Sequence, residues 1–472
     1  MDSGHLSAEP VRPIRPLWII PGLIAGLAIV AAIGALAGRF VLGDDQNYPD
    51  EWDPAVLDLA AFVEESRGLE WAHPVQVDFA DEQEFAADLG VGELEPDPEY
   101  DAGYLGWFRA LGLGSGTADL GAEQDTLLAG GVAAFYIPFE DRVVIPAGEL
   151  TISQQATIVH ELTHALQDQH FDIGRLFKTI ERDAVFTALI EGDATRIENL
   201  WIASLPPARL AELETEYAQS SAGYEADVAG VTSALEALFS SPYQLGPPLA
   251  EILLRAGELD ANLHSPPFTE EAVFDPVMHL LGDDKISDRP TLDDPDGEFW
   301  DEGQLGPVLL YLMLAEVVPL DRALNAVHGW GTDAYVSSFI DDRLCMEIEI
   351  EADSTADLAE MRRAFNVWAQ SSPDREMLSR NHGRSTVSLQ TCDPGPDGAP
   401  VELDAVLALD AAASVSWIAL TALDEGLPPE QAHCVGLTTV GSFTLDEIAD
   451  PDSRWWNEGL WDSYDNSIEA CD

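Results

Sequence analysis

Residues 158–171 read IVHELTHALQDQHF. Three histidines, His160, His164 and His170, and an acid beside the first, Glu161, sit among Ile158, Val159, Leu162, Ala165 and Leu166. The apolar spacing is that of a helix, beginning at Ser153 and ending near Asp172–Gly174. Residues i and i+4 of a helix lie one turn apart on one face. His160 and His164 therefore project toward one point, where two imidazoles suit a zinc ion at about 2.0–2.1 Å. Glu161 is offset from that face, within reach of a water on such an ion. Zinc lowers that water's pKa to about 7, and a carboxylate can take its proton as it attacks a carbonyl. The HExxH pattern thus predicts Zn2+ held by His160 and His164, with Glu161 as general base.

An open zinc site has a third protein ligand. HELTHALQDQH matches HExxHxxGxxH except at Gln167, where that pattern has glycine. The glycine lets the chain turn at positive φ and swing the last histidine back. With Gln167 the helix continues, and His170 lies about 9 Å along the axis from His164, out of reach. His170 then reads as a cation at a helix C-terminus. Glu191, in ALIEGDAT on a second predicted helix from Glu181 to Leu205, is the stronger candidate. A carboxylate in an apolar stretch needs a reason to be there. Residues 165–190 leave room for an antiparallel return, and Gly192 and Ala194 allow the two helices to approach. Glu198 on the same helix is a further candidate.

The flanks predict an α+β fold, mainly α, with a small sheet. Pro74–Phe79 alternates as a strand, and Val132–Pro138 with Arg142–Ile145 form a hairpin directly before the motif. Residues 208–330 are mostly helical, with proline-rich breaks at SSPYQLGPPLA and HSPPFTEEAVFDP. The run LGPVLLYLMLAEVV is too short to span a bilayer and reads as core. GWGTDAY, Gly329–Tyr335, marks a boundary. Beyond it come strand, amphipathic helix and strand, carrying Cys345 and Cys392, and then helices bracketed by Cys434 and Cys471. Sequential pairing of the four cysteines is the local choice. Pairing Cys345 with Cys392 requires the two strands to be antiparallel.

The chain has 86 acids against 22 bases, for a formal net charge of −64. That surface repels nucleic acids and anionic lipid, and excludes a nucleic-acid partner. Arg12 and Arg15 precede an uncharged apolar run from Leu17 to Ala37, long enough to cross a bilayer. The positive flank stays inside, so the rest lies outside the cytoplasm; cleavage after Ala35–Ala37 is the alternative. The expected organisation is a cytoplasmic tail (1–16), a transmembrane signal anchor (17–37), a linker (38–50), a catalytic domain (51–335), a small α/β module (336–400) and a helical C-terminal module (401–472).

The hairpin AAFYIPFEDRVVIP, the helix VHELTHALQDQHFD and the segment ALIEGDAT together resemble the core of gluzincin-type metallopeptidases. More closely, the chain is similar to bacterial membrane-anchored predicted zinc proteases, over roughly residues 50–345. The resemblance implies a zincin-like core, zinc held by His160, His164 and Glu191, Glu161 as the base, and a peptide or protein substrate. It also implies an aspartate four residues after the glutamate ligand, bonded to a ligand histidine. Here that position is Thr195, with Asp193 or Asp168 as substitutes. In such folds an edge strand pairs with the extended substrate, a role open to VAAFYIP. His264, His279, His328 and Tyr243 are candidates for oxyanion donor. The rival readings are a non-catalytic surface protein on the same scaffold and a zinc amidase acting on cell-wall cross-links.

Overall fold

The computed structural model describes residues 48–89, 98–148, 150–177, 184–267, 269–282, 289–378 and 386–472. The expected tail, anchor and most of the linker lie outside these residues. The chain is mainly helical with two small sheets. Helix α1 (Leu57–Arg67) leads into strand β1 (Gln76–Ala80). Strands β2 (Phe135–Ile137) and β3 (Arg142–Pro146) form the expected hairpin, and β1 adds to it in parallel, giving the order β1-β3-β2.

Helix α2 (Ile152–Phe171) carries the HExxH motif. Thr151 caps it in a reciprocal capping box with Gln154, and Asp172 ends it at φ 51° in the left-handed region. Helix α3 (Ala184–Ser204) follows and packs on α2. Helix α4 (Pro207–Val228) and helix α5 (Ser233–Ala256) complete this layer.

Helix α5 runs straight through SSPYQLGPPLA, where the sequence predicts a break. Pro242 removes one ladder donor, but the Ser241 hydroxyl donates to the freed Leu238 carbonyl at 2.9 Å. Burial does the rest. Gln244 to Ala250 are all buried between α3 and the C-terminal helices. The close contact expected of Gly192 falls here rather than against α2. A Cβ on Gly192 would overlap the Gly246 carbonyl, and a Cβ on Gly246 would overlap that of Ala188.

The next segment supplies the short helix α6 (Pro276–Leu280), strand β4 (Glu298–Gly303), and helices α7 (Gly306–Ala315) and α8 (Leu320–Val327). Strands β5 (Trp330–Ile340) and β6 (Arg343–Ala352), helix α9 (Thr355–Gln370), and strands β7 (Arg375–Leu378) and β8 (Thr386–Cys392) follow. They form one antiparallel sheet in the order β4-β5-β6-β8-β7. The boundary expected after Tyr335 therefore falls inside β5, and GWGTDAY is strand, not linker. The unbroken burial of β5 from Trp330 to Ser338 is that of an inner strand covered on both faces. Residues far earlier also dock on this sheet. Arg109 holds Asp393 with two hydrogen bonds of 2.7 and 2.6 Å, and Thr391 donates to the Ala110 carbonyl at 2.7 Å.

Helices α10 (Ala405–Asp424), α11 (Pro429–Gly441) and α12 (Glu458–Ala470) close the chain. Helix α10 is apolar and long enough to cross a membrane, but two thirds of it is buried within the fold, against α5 and α11. Its composition is explained by that packing. One apolar core joins residues from Val56 to Tyr464, so the expected catalytic domain and the two modules after it share a single interior.

Both sequential disulfides are present. Cys345 and Cys392 face each other across antiparallel β6 and β8, as their pairing requires. Cys434 and Cys471 tie α11 to the end of α12. Two such bonds fit an oxidising, extracytoplasmic setting. Gly192→Ala is expected to cost about 1–3 kcal/mol by forcing α3 and α5 apart, measured by urea denaturation. Reducing Cys434–Cys471 is expected to cost about 2–4 kcal/mol on the same assay.

Candidate metal centre

Helices α2 and α3 bring His160, His164 and Glu191 together, with one donor atom from each within 4.8 Å of the others. Glu191 Oε2 lies 3.1 Å from His160 Nε2 and 3.3 Å from His164 Nε2. All three residues and Glu161 are buried, none more than 1% exposed. The expected ligand trio thus converges on one point. His170 does not join it. Helix α2 continues past Gln167, and His170 Nε2 sits 2.9 Å from the Glu70 carbonyl at the surface. Glu198 is no third ligand either. Its Oε2 lies 3.2 Å from His160 Nδ1, on the far side of the ring.

Gln167 is the residue that local reading undervalued. Its Nε2 donates to the Ile190 carbonyl at 3.0 Å and to Asp193 Oδ2 at 3.1 Å. That fixes Oε1 toward His164, so His164 Nδ1 carries the hydrogen and donates at 3.0 Å. Burial pushes His164 down against the pull of Glu191, which favours the neutral ring. Its Nε2 is then a bare lone pair facing a carboxylate oxygen. Two lone pairs at that separation repel unless a cation lies between them.

Asp193 anchors this arrangement. Burial would raise its pKa, but Arg67 and then Arg196 outweigh it and hold Asp193 below the usual carboxylate range. Arg67 Nε donates to Asp193 at 2.7 Å and also pairs with Asp260, and Arg196 donates to the other oxygen at 2.8 Å. Of the expected substitutes for the missing aspartate, Asp193 thus acts at one remove, through Gln167. Asp168 bonds the Tyr136 hydroxyl and the Gly174 N–H instead, and burial pushes it up to about 6. The second carboxylate partner of the histidines is Glu198. It lies seven residues after Glu191, two turns along the same face of α3, which is the signal that could have found it.

The electrostatics are those of a site prepared for a cation. Burial would lower His160, but hydrogen bonds to Glu191 and Glu198 outweigh it and raise it to about 10. Glu191 is held below the usual range by the two imidazoles against the effect of burial. Burial pushes Glu161 well above its ordinary value, although His160 pulls the other way. Glu161 Oε1 and Oε2, His164 Nε2, Glu191 Oε1 and the Tyr243 hydroxyl have no hydrogen-bond partner among the described residues. Buried polar atoms are rarely left so. Five of them on one small group fit a divalent ion with a solvent or substrate ligand, and the two-imidazole, one-carboxylate set suits zinc.

Of the four expected oxyanion candidates, only Tyr243 is here. Its ring lies 6.3 Å from that of His160, and its hydroxyl is buried while the residue is half-exposed. His264 packs on Phe171, His328 lies beside Asp275, and His279 ends α6. Strand β2 is an edge of its sheet, as expected of VAAFYIP, but all three of its residues are buried.

Arg67→Ala leaves Asp193 with less compensation and is expected to cost about 3–5 kcal/mol in a denaturation experiment. Glu191→Ala is expected to lower the zinc content of the purified chain by one equivalent, and His170→Ala to leave it unchanged, by elemental analysis. No protein-family model, curated protein or solved structure matches this chain, so its function is read from the site itself.

Proposed function

We propose that the chain is a zinc-dependent peptidase of gluzincin type, working outside the cytoplasm and anchored by its N-terminal apolar run. The reading rests on one observation above the others: Glu191 Oε2 meets both His160 Nε2 and His164 Nε2, at 3.1 and 3.3 Å, in a fully buried cluster. A divalent ion held by His160, His164 and Glu191 would bind these three donors together, and would supply a Lewis acid and an acidified water.

The protein's own groups would do the following. Gln167 holds His164 with its donor hydrogen outward, and Glu198 does the same for His160. Glu161, with both oxygens free, takes the proton of the attacking water and returns it to the leaving amine. The Tyr243 hydroxyl, buried beside Glu191 and Glu161, donates to the oxygen that gains charge as the carbonyl is attacked. His160, Glu161, His164 and Glu191 are all buried, which strengthens each of these interactions. A cavity of about 180 Å³ lies one turn before Glu191 and beside Tyr243, lined by Thr187, Ala188, Leu238, Pro242 and Leu245. Its apolar walls suit an apolar substrate side chain.

The full burial of Glu161 favours a second reading, in which the same scaffold binds a partner without turning over. Glu161→Gln is expected to keep zinc and lose about 10²–10⁴-fold in peptide hydrolysis. Tyr243→Phe is expected to keep zinc and KM and lose about 10²-fold in kcat. Zinc-loaded wild-type chain that cleaves nothing in a diverse peptide pool would establish the non-catalytic reading.

A further inference from the structure

A second convergence of metal-type donors lies away from α2. Asp275 caps α6, accepting from the Met278 N–H through Oδ1 at 3.2 Å. Its Oδ2 faces two imidazoles, His328 Nδ1 at 2.9 Å and His433 Nδ1 at 3.1 Å. One atom from each residue falls within 4.8 Å of the others. The side chains of Asp275 and His328 are 4% and 6% exposed, and that of His433 is 16% exposed.

Three features set this cluster apart from a surface ion pair. The donors come from three distant segments: the start of α6, the residue after α8, and α11. Helix α11 is itself pinned by the disulfide at Cys434, the neighbour of His433. And Asp275 meets no arginine or lysine among the described residues. A buried carboxylate needs a compensating cation. Asp193 has two arginines for this, whereas Asp275 has only imidazoles, which are cations only when protonated.

We propose that Asp275, His328 and His433 form a second divalent-metal site that fastens α11 to α6 and α8. Two imidazoles and one carboxylate select a zinc-class transition ion over calcium or magnesium, which take oxygen ligands. The partly exposed edge of His433 is the route for the ion and for a fourth, solvent ligand. The site is structural: it joins the C-terminal helices to the layer that carries α5, and it stands whether or not the HExxH cluster is catalytic.

The competing arrangement holds the same geometry with a proton instead of a metal. Full-length chain, stripped with chelator and titrated with Zn2+, separates the two. Wild type is expected to bind two equivalents, His164→Ala one, and the His164→Ala/His433→Ala chain none. Zinc is expected to raise the melting temperature of His164→Ala but not that of the double variant. A folded His164→Ala chain that binds no zinc overturns the proposal. Wild type binding one equivalent, lost in His433→Ala and kept in His164→Ala, would uphold this site and sink the first. If His433→Ala does not fold, Co2+ replaces the variant as a probe. Visible ligand-field bands from one equivalent of Co2+ in the His164→Ala chain support the site, and their absence overturns it.

Discussion

Asp193 is the residue on which the HExxH cluster depends. Two arginines keep it ionised in the interior, and it accepts from Gln167. That acceptance sets the direction of the Gln167 amide, which sets the tautomer of His164. A chain of single hydrogen bonds therefore carries orientation from Arg67, in the first described helix, to the lone pair aimed at Glu191. Each link is buried, so each is electrostatically stronger than it would be in water, and each is costly to leave unmade.

The same helix meets two different demands. On one side α3 offers Glu191 and Glu198 to α2. On the other it presses against α5 through Gly192 and Gly246, with no room for a side chain. The close crossing brings Tyr243 over the histidines. Prolines inside α5 would ordinarily end a helix, but packing on both sides and a serine hydroxyl offset the lost backbone bond. Geometry at the cluster is thus inherited from helix packing rather than from any loop.

Four of the buried acids differ in their counter-charge. Asp193 and Asp393 are held by arginines. Glu191 and Asp275 are held by histidines alone. In a chain with so few bases, arginine is spent on permanent structural charges. At Glu191 and Asp275 imidazoles stand in arginine's place, and among the described residues these are the places where metal-type donors converge.

Local pattern determined much of this protein. The 3.6-residue period placed His160, His164 and Glu161 on one helix. Gln167 in place of glycine kept that helix straight and carried His170 away. Glu191 stood out as an acid in an apolar stretch, and the cysteine order followed from adjacent strands. These are short-range consequences of spacing, and they survive folding because α2 is capped and buried as one unit. Only the tertiary structure decided the rest. Whether Gln167 orients a ligand depends on Asp193 across a helix interface. Which of four candidate donors reaches the site depends on where α5 crosses α3. The boundary expected after Tyr335 vanished because strand pairing is non-local: β5 is completed by β4 and β6, and neither partner is visible in its own seven letters. Asp275, His328 and His433 share no spacing at all. They meet because separate helices pack around one buried carboxylate, and that contact exists in no stretch of the chain.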